Sequence, residues 1–166
     1  VKYYGGLWAY NEDKILNGYY VNSKEKPHPL CDDFNEEYLD RLMWEHKNKS
    51  IKRALYSEQS VPGLGNGSLQ EILYNAKLNY KTKVSKLSSD DFDRLFKSIK
   101  STLKEMCDKN GRNTEYDLFG KKGNYITKVS RYTFNKPCPN CNDLISRKQY
   151  LGTNVYYCPT CQPVAR

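Results

Sequence analysis

The chain has 166 residues and carries 27 Lys plus Arg against 19 Asp plus Glu, a net charge of +8. That length buries one sizeable core, or one core with a small metal-stapled appendage. No apolar run reaches membrane length and no signal-peptide pattern is present, so the sequence reads as soluble, cytoplasmic and without a membrane partner. The basic balance points to a polyanion, most simply nucleic acid.

Residues 1–22 read as strands. Tyr3-Tyr4-Gly5-Gly6-Leu7-Trp8 is aromatic-rich, and its Gly pair signals a bulge or a close backbone approach. Asn17-Gly18 is a hairpin turn before Tyr19-Tyr20-Val21. A lone hairpin is marginal in water, so these are read as the last strands of a larger sheet. The chain starts at Val1 with no initiator Met, and a fragment is expected. Residues 23–33 read as a linker, because Pro27 and Pro29 exclude helix and central strand.

From Asp33 the apolar period becomes helical. Phe34, Tyr38, Leu39 and Leu42 form one face, with Asp32 or Asp33 as the expected N-cap. Ser50 caps a second helix carrying Ile51, Ala54 and Leu55, expected to end near Gln59-Ser60. Val61-Pro62-Gly63-Leu64-Gly65-Asn66-Gly67 is a tight turn, and a third helix follows with Leu69, Ile72, Leu73 and Ala76 inward. Ser88-Ser89-Asp90-Asp91 is a capping signature. It opens a long helix with Phe92, Leu95, Phe96, Ile99, Leu103 and Met106 on one face, stopped by Asn110-Gly111. Residues 111–130 form a Gly-rich loop with little regular pattern, long enough to be functional or mobile.

Two constellations carry chemistry. Cys138-Pro139-Asn140-Cys141 and Cys158-Pro159-Thr160-Cys161 have the spacing of a four-cysteine zinc site on a β-hairpin. Four thiolates would close a tetrahedron around Zn²⁺ and leave no open position, which makes the site structural. Two disulfides are the alternative. The stretch after residue 130 has too few large apolar side chains to fold alone, so the metal must supply much of its stability. Cys31 and Cys107 have no partner pattern and are read as reduced thiols.

The second constellation is the turn before the third helix. Glycines 63, 65 and 67 permit left-handed backbone and close approach of a partner. Free N–H groups and the positive end of the helix dipole at Asn66 favour an anion. The residues alone leave two readings open: a phosphate held by Asn66 and its neighbours, or an asparagine that only caps a helix.

Gln59-Ser60-Val61-Pro62-Gly63-Leu64-Gly65-Asn66-Gly67, with Glu71-Ile72-Leu73 after it, resembles the helix–two-turn–helix signature of the formamidopyrimidine-DNA glycosylase / endonuclease VIII family. The Cys138 to Cys161-Gln162 segment looks like that family's zinc finger. Asp117, Gly120 and Gly123, and the Lys26-Pro27 linker, match in order and spacing. The resemblance covers essentially the whole chain. It implies a mainly α fold with a small β element: remnant strands of a β-sandwich over residues 1–30, a helical DNA-binding domain over 31–130 and a zinc β-hairpin over 131–166.

The family removes oxidised bases from duplex DNA and cleaves the abasic site. The resemblance therefore implies a damaged or abasic duplex as partner and one structural Zn²⁺ held by Cys138, Cys141, Cys158 and Cys161. It makes Asn66, flanked by Gly65 and Gly67, a phosphate ligand. Tyr4 falls at the position of an aromatic wedge, and Tyr3 where many members carry an arginine that fills the hole left by the flipped base. The family's amine nucleophile, an N-terminal proline beside a glutamate, has no counterpart in Val1-Lys2. Many members also place a phosphate-gripping arginine on the finger, where Thr153 stands here. Arg147 and Lys148, on the opposite strand, are the substitute candidates. The leading expectation is the DNA-binding part of a base-excision glycosylase, monomeric and nucleoid-associated in a bacterium. The alternatives are an inactive zinc-ribbon interaction module and a single-strand binder using some of its 15 tyrosines.

Overall fold

The computed structural model describes Val21, residues 24–57 and residues 60–165. The strands expected over residues 1–20, with Tyr3 and Tyr4, lie outside the described residues. Val21, Lys24 and Glu25 are helical, which corrects both the strand through Val21 and the non-helical linker from Lys24. Pro27 restricts the residue before it, and a helical turn can still end at Glu25.

From residue 36 on, the described residues form four α-helices and one two-stranded sheet, in the order α1 (Glu36–Glu45), α2 (Ile51–Tyr56), α3 (Asn66–Asn75), α4 (Ser89–Asp108), β1 (Ser146–Tyr150) and β2 (Thr153–Tyr157). A short 3-10 turn, Val84–Lys86, precedes α4. The cap of α1 is Asn35, not Asp32 or Asp33; its Oδ1 accepts from the Tyr38 N–H at 2.8 Å. Ser50 caps α2 as expected, but that helix ends at Tyr56. Ser57 is extended, and the N–H and hydroxyl of Ser60 both turn back onto its carbonyl. Ser88 and Asp91 form a reciprocal capping box on α4.

Two helices end in the same way. At α4 the Gly111 N–H reaches the Met106 carbonyl and the Asn110 N–H the Cys107 carbonyl, with Asn110 at φ +55°. At α3 the Leu78 N–H reaches Leu73 and the Lys77 N–H reaches Tyr74, with Lys77 at φ +58°. A lysine thus occupies a left-handed position where its Cβ crowds the backbone.

The core lies where α1, α2, α3 and α4 meet. Phe34, Leu39, Ile51, Ala54, Leu55, Ile72, Leu95 and Ile99 are fully buried there. Val155 from β2 joins this cluster, so the hairpin packs on the helical body rather than hanging from it. The strands pair antiparallel with Lys148 opposite Val155 and Tyr150 opposite Thr153. Leu151 (φ +51°) and Gly152 (φ +73°) make the two-residue turn, the left-handed pair that matches hairpin twist.

The segment over residues 111–130 has more order than its composition predicts. Asn113 N–H donates to the Tyr125 carbonyl, and Tyr125 N–H to Gly111. A Cβ on Gly123 would sit 2.3 Å from the carbonyl carbon of Gly111, so only glycine allows the two strands of the loop to cross. Beyond this neck Tyr116 bridges Lys122, and the Asp117 carboxylate accepts from the Phe119 and Lys121 N–H groups. The tip, Leu118 and Phe119, is 100 % and 94 % exposed.

Candidate metal centre and nucleic-acid interface

The four predicted cysteines converge. Their sulfurs all lie within 4.8 Å of one another, in a group that can hold a metal ion. Cys138 and Cys158 are buried, and Cys141 and Cys161 are half-buried. The separations Cys138–Cys161 (3.8 Å) and Cys141–Cys158 (3.4 Å) are far beyond the ~2.05 Å of a disulfide, and all six cysteines are free. Each pair sits on a tight turn. The Asn142 N–H returns to the Cys138 carbonyl, with Asn142 left-handed at φ +63°, and the Gln162 N–H returns to the Cys158 carbonyl.

Burial raises the Cys138 thiol, but hydrogen bonds from Tyr74 and from the backbone N–H groups of Asn140 and Cys141 outweigh it and bring the group down to about 6. Burial pushes Cys158 up to about 12. Four thiolates cannot coexist here without a cation. A bound metal ion would hold all four deprotonated.

The hairpin is tied to the helical body by polar contacts from one face of α3. Asn66 Nδ2 and Gln70 Nε2 both donate to the Asn154 carbonyl, at 3.1 and 3.2 Å. Gln70 Oε1 accepts from the Tyr156 N–H at 2.8 Å. Tyr74 Oη lies 3.0 Å from Cys138 Sγ. Gln162 is 2 % exposed; its amide donates to the Leu78 carbonyl and accepts from the Cys158 N–H. From α2, the Lys52 ammonium donates to Thr153 Oγ1 (2.5 Å) and the Tyr150 carbonyl (3.2 Å), and burial draws its pKa down to about 8. Thr153 Oγ1 in turn donates to Asn66 Oδ1 at 3.2 Å.

The turn before α3 differs from expectation in detail. Of the three glycines only Gly63 is left-handed, at φ +73°. Gly65 is the N-cap, in extended conformation, and no side chain caps the helix. Asn66 is therefore the first helical residue rather than the cap. The first bond of the α3 ladder is Leu69 N–H to the Gly65 carbonyl, so the amides of Asn66, Gly67 and Ser68 precede it. Gly67 matters for space. A Cβ there would overlap the Arg112 guanidinium, 1.7 Å from Nη1, so Arg112 lies directly over the first turn, held by Glu115.

These residues border a groove of about 470 Å³ lined by Asn66, Gly67, Gln70, Arg112, Arg131 and Asn154, among others. Lys148, exposed on β1, does not line it, and the Arg147 guanidinium stands 5.0 Å from the centre of the Phe134 ring. The basic groups beside Asn66 thus come from residues 112 and 131, which sequence spacing did not single out. Glu71 was also unread as a structural group. It is fully buried on α3 and accepts from the Lys128 and Val129 N–H groups and from the Tyr125 hydroxyl. Burial raises its carboxyl pKa, against the pull of those donors.

Residues 26–117, more than half of the chain, match the formamidopyrimidine-DNA glycosylase H2TH domain model. The chain belongs to the formamidopyrimidine-DNA glycosylase family. It is 34 % identical to a formamidopyrimidine-DNA glycosylase of Prochlorococcus marinus (strain NATL1A), a match that covers 82 % of this chain and 49 % of that protein. A relative from Pelotomaculum thermopropionicum is 30 % identical over 99 % of this chain and 60 % of its own length. The chain thus spans about half to three-fifths of these relatives. Its fold superposes on the Lactococcus lactis Fpg solved with abasic-site DNA, with a TM-score of 0.76, 26 % identity, and coverage of 92 % of this chain and 56 % of that one. The family match agrees with the mainly helical body and the cysteine-bearing hairpin. Among the described residues no helix is long and apolar enough to cross a membrane.

Proposed function

We propose that this chain is the DNA-binding portion of a base-excision DNA glycosylase and abasic-site lyase, and that it grips duplex DNA at a damaged or abasic nucleotide as a monomer on the nucleoid. The observation that carries the reading is the start of α3. Three amides without a side-chain cap and the Asn66 carboxamide open beside a groove bearing Arg112 and Arg131. One Asn66 Nδ2 hydrogen is committed to Asn154, which leaves the second for a phosphate oxygen. Gly65 leaves open space for the DNA backbone, and Gly67 lets the Arg112 guanidinium lie against the first turn. Lys148 adds long-range attraction from the hairpin, Tyr4 takes the place of the aromatic wedge, and Tyr3 that of the residue filling the hole left by the flipped base. The likeness to a glycosylase solved with abasic-site DNA supports the partner.

The metal in this reading is one structural Zn²⁺. Tetrahedral zinc with Zn–S bonds of ~2.3 Å needs sulfurs about 3.8 Å apart. The 3.8 and 3.4 Å separations fit that cage with small adjustments. Four soft donors and no open position suit a metal that holds the hairpin and takes no part in chemistry.

Fluorescence anisotropy with a labelled duplex containing an abasic-site analogue tests the proposal. The wild-type chain should bind with log K falling steeply with log salt, and single strands should compete poorly. Asn66→Ala should weaken binding by about tenfold, the ~1.4 kcal/mol of one charge-assisted hydrogen bond. Wild-type binding that is absent at low salt, or that Asn66→Ala leaves unchanged, would overturn the reading.

A further inference from the structure

Asn66, Gln70 and Tyr74 stand at i, i+4 and i+8 on α3 and so share one face. All three bond to the hairpin, but they differ in what they touch. Asn66 and Gln70 reach backbone groups of residues 154 and 156. Tyr74 alone reaches a sulfur of the metal cluster, Cys138 Sγ, at 3.0 Å. The phenol is 7 % exposed and Cys138 is fully buried, so the contact lies inside the fold. A second side chain, Asn140, donates from Nδ2 to Cys161 Sγ at 3.2 Å.

We infer that Tyr74 positions the metal centre by donating its hydroxyl proton to the metal-bound Cys138 thiolate. The inference rests on the zinc reading above. A metal-bound thiolate carries no proton and can only accept, so the direction of the bond is fixed: the phenol is the donor. Such a bond draws electron density off the sulfur and holds it at the metal. Groups that hydrogen-bond to metal ligands from outside the coordination sphere commonly govern metal affinity by 10- to 100-fold. The same contact makes α3 a bridge, with the metal centre at Tyr74 and the anion-facing amides at Asn66, two turns apart.

Tyr74→Phe separates this role from packing, because the ring stays and only the hydroxyl goes. Two measurements apply. The zinc-loaded variant should release zinc to a chromogenic chelator roughly tenfold faster than wild type. In the cobalt(II)-substituted protein, loss of the hydrogen bond should leave the sulfur more electron-rich and move the sulfur-to-cobalt charge-transfer band to longer wavelength. Asn140→Ala, a surface change at the second donor, should move the band in the same direction. Gln70→Ala loosens hairpin docking without touching a sulfur, and should leave the band in place. A Tyr74→Phe protein with an unmoved band and wild-type release would overturn the inference while leaving the zinc reading intact. A wild-type chain that takes up neither zinc nor cobalt would overturn both.

Discussion

Thr153→Val tests the polar relay that fastens the hairpin to the helical body. Valine keeps the shape of threonine and removes only the hydroxyl. That oxygen accepts from the Lys52 ammonium at 2.5 Å and donates to Asn66 Oδ1 at 3.2 Å. Lys52 is 1 % exposed, and without Thr153 Oγ1 its remaining hydrogen-bond acceptor is the Tyr150 carbonyl at 3.2 Å. A hydrogen bond to a buried charge contributes about 1.5–3 kcal/mol. The lost donor at Asn66 adds about 0.5 kcal/mol, since water can reach that half-buried amide. The variant should therefore be about 2–3.5 kcal/mol less stable at pH 7 in urea unfolding followed by circular dichroism. The pH dependence is a second signature. The folded pKa of Lys52, about 8, lies below its unfolded value of 10.5, so the unfolded chain binds more protons between these values. Wild-type stability then rises with pH across that window, as the buried ammonium becomes a neutral amine. A neutral amine loses less when Thr153 Oγ1 is removed, so the deficit should shrink by about pH 9.5. A deficit under about 0.5 kcal/mol at pH 7, or one equally large at both pH values, would refute the relay.

Lys77→Gly should stabilise the chain by about 0.5–1 kcal/mol, because it relieves a left-handed lysine at the end of α3; a thermal melt that fails to rise would count against it. Glu71→Ala should cost about 3–5 kcal/mol, since it strands two backbone N–H groups and the Tyr125 hydroxyl around a fully buried site. Urea unfolding of the two proteins side by side reads this directly, and a loss below about 1 kcal/mol would mean that water replaces the carboxylate.

The helices were legible because their signals are local. Ser50 and Ser88 cap where spacing placed them, and the apolar period of α4 delivers Leu95, Ile99 and Met106 to the interior. The cap of α1 was not legible. Asp32, Asp33 and Asn35 are all competent caps, and the turn of the incoming chain decides among them. The cysteine cluster could be read from spacing alone because two residues fix each turn. The surroundings of both candidate sites could not. Arg112 lies over Gly67, Lys52 reaches Thr153, and Tyr74 meets Cys138 only after elements distant in sequence have packed. Lys52 sits beside Ile51 on an apolar helix face, and that inward placement was the one local hint that its charge is buried.

The crossing of Gly123 against Gly111 bears on how the protruding loop can change. Its neck has no room for a single extra carbon, whereas Leu118 and Phe119 at the tip stand almost wholly in solvent. Insertions or exchanges at the tip leave the clasp undisturbed. The tip is thus open to solvent while the crossing beneath it is held by a single glycine position, a fingertip on a fixed knuckle.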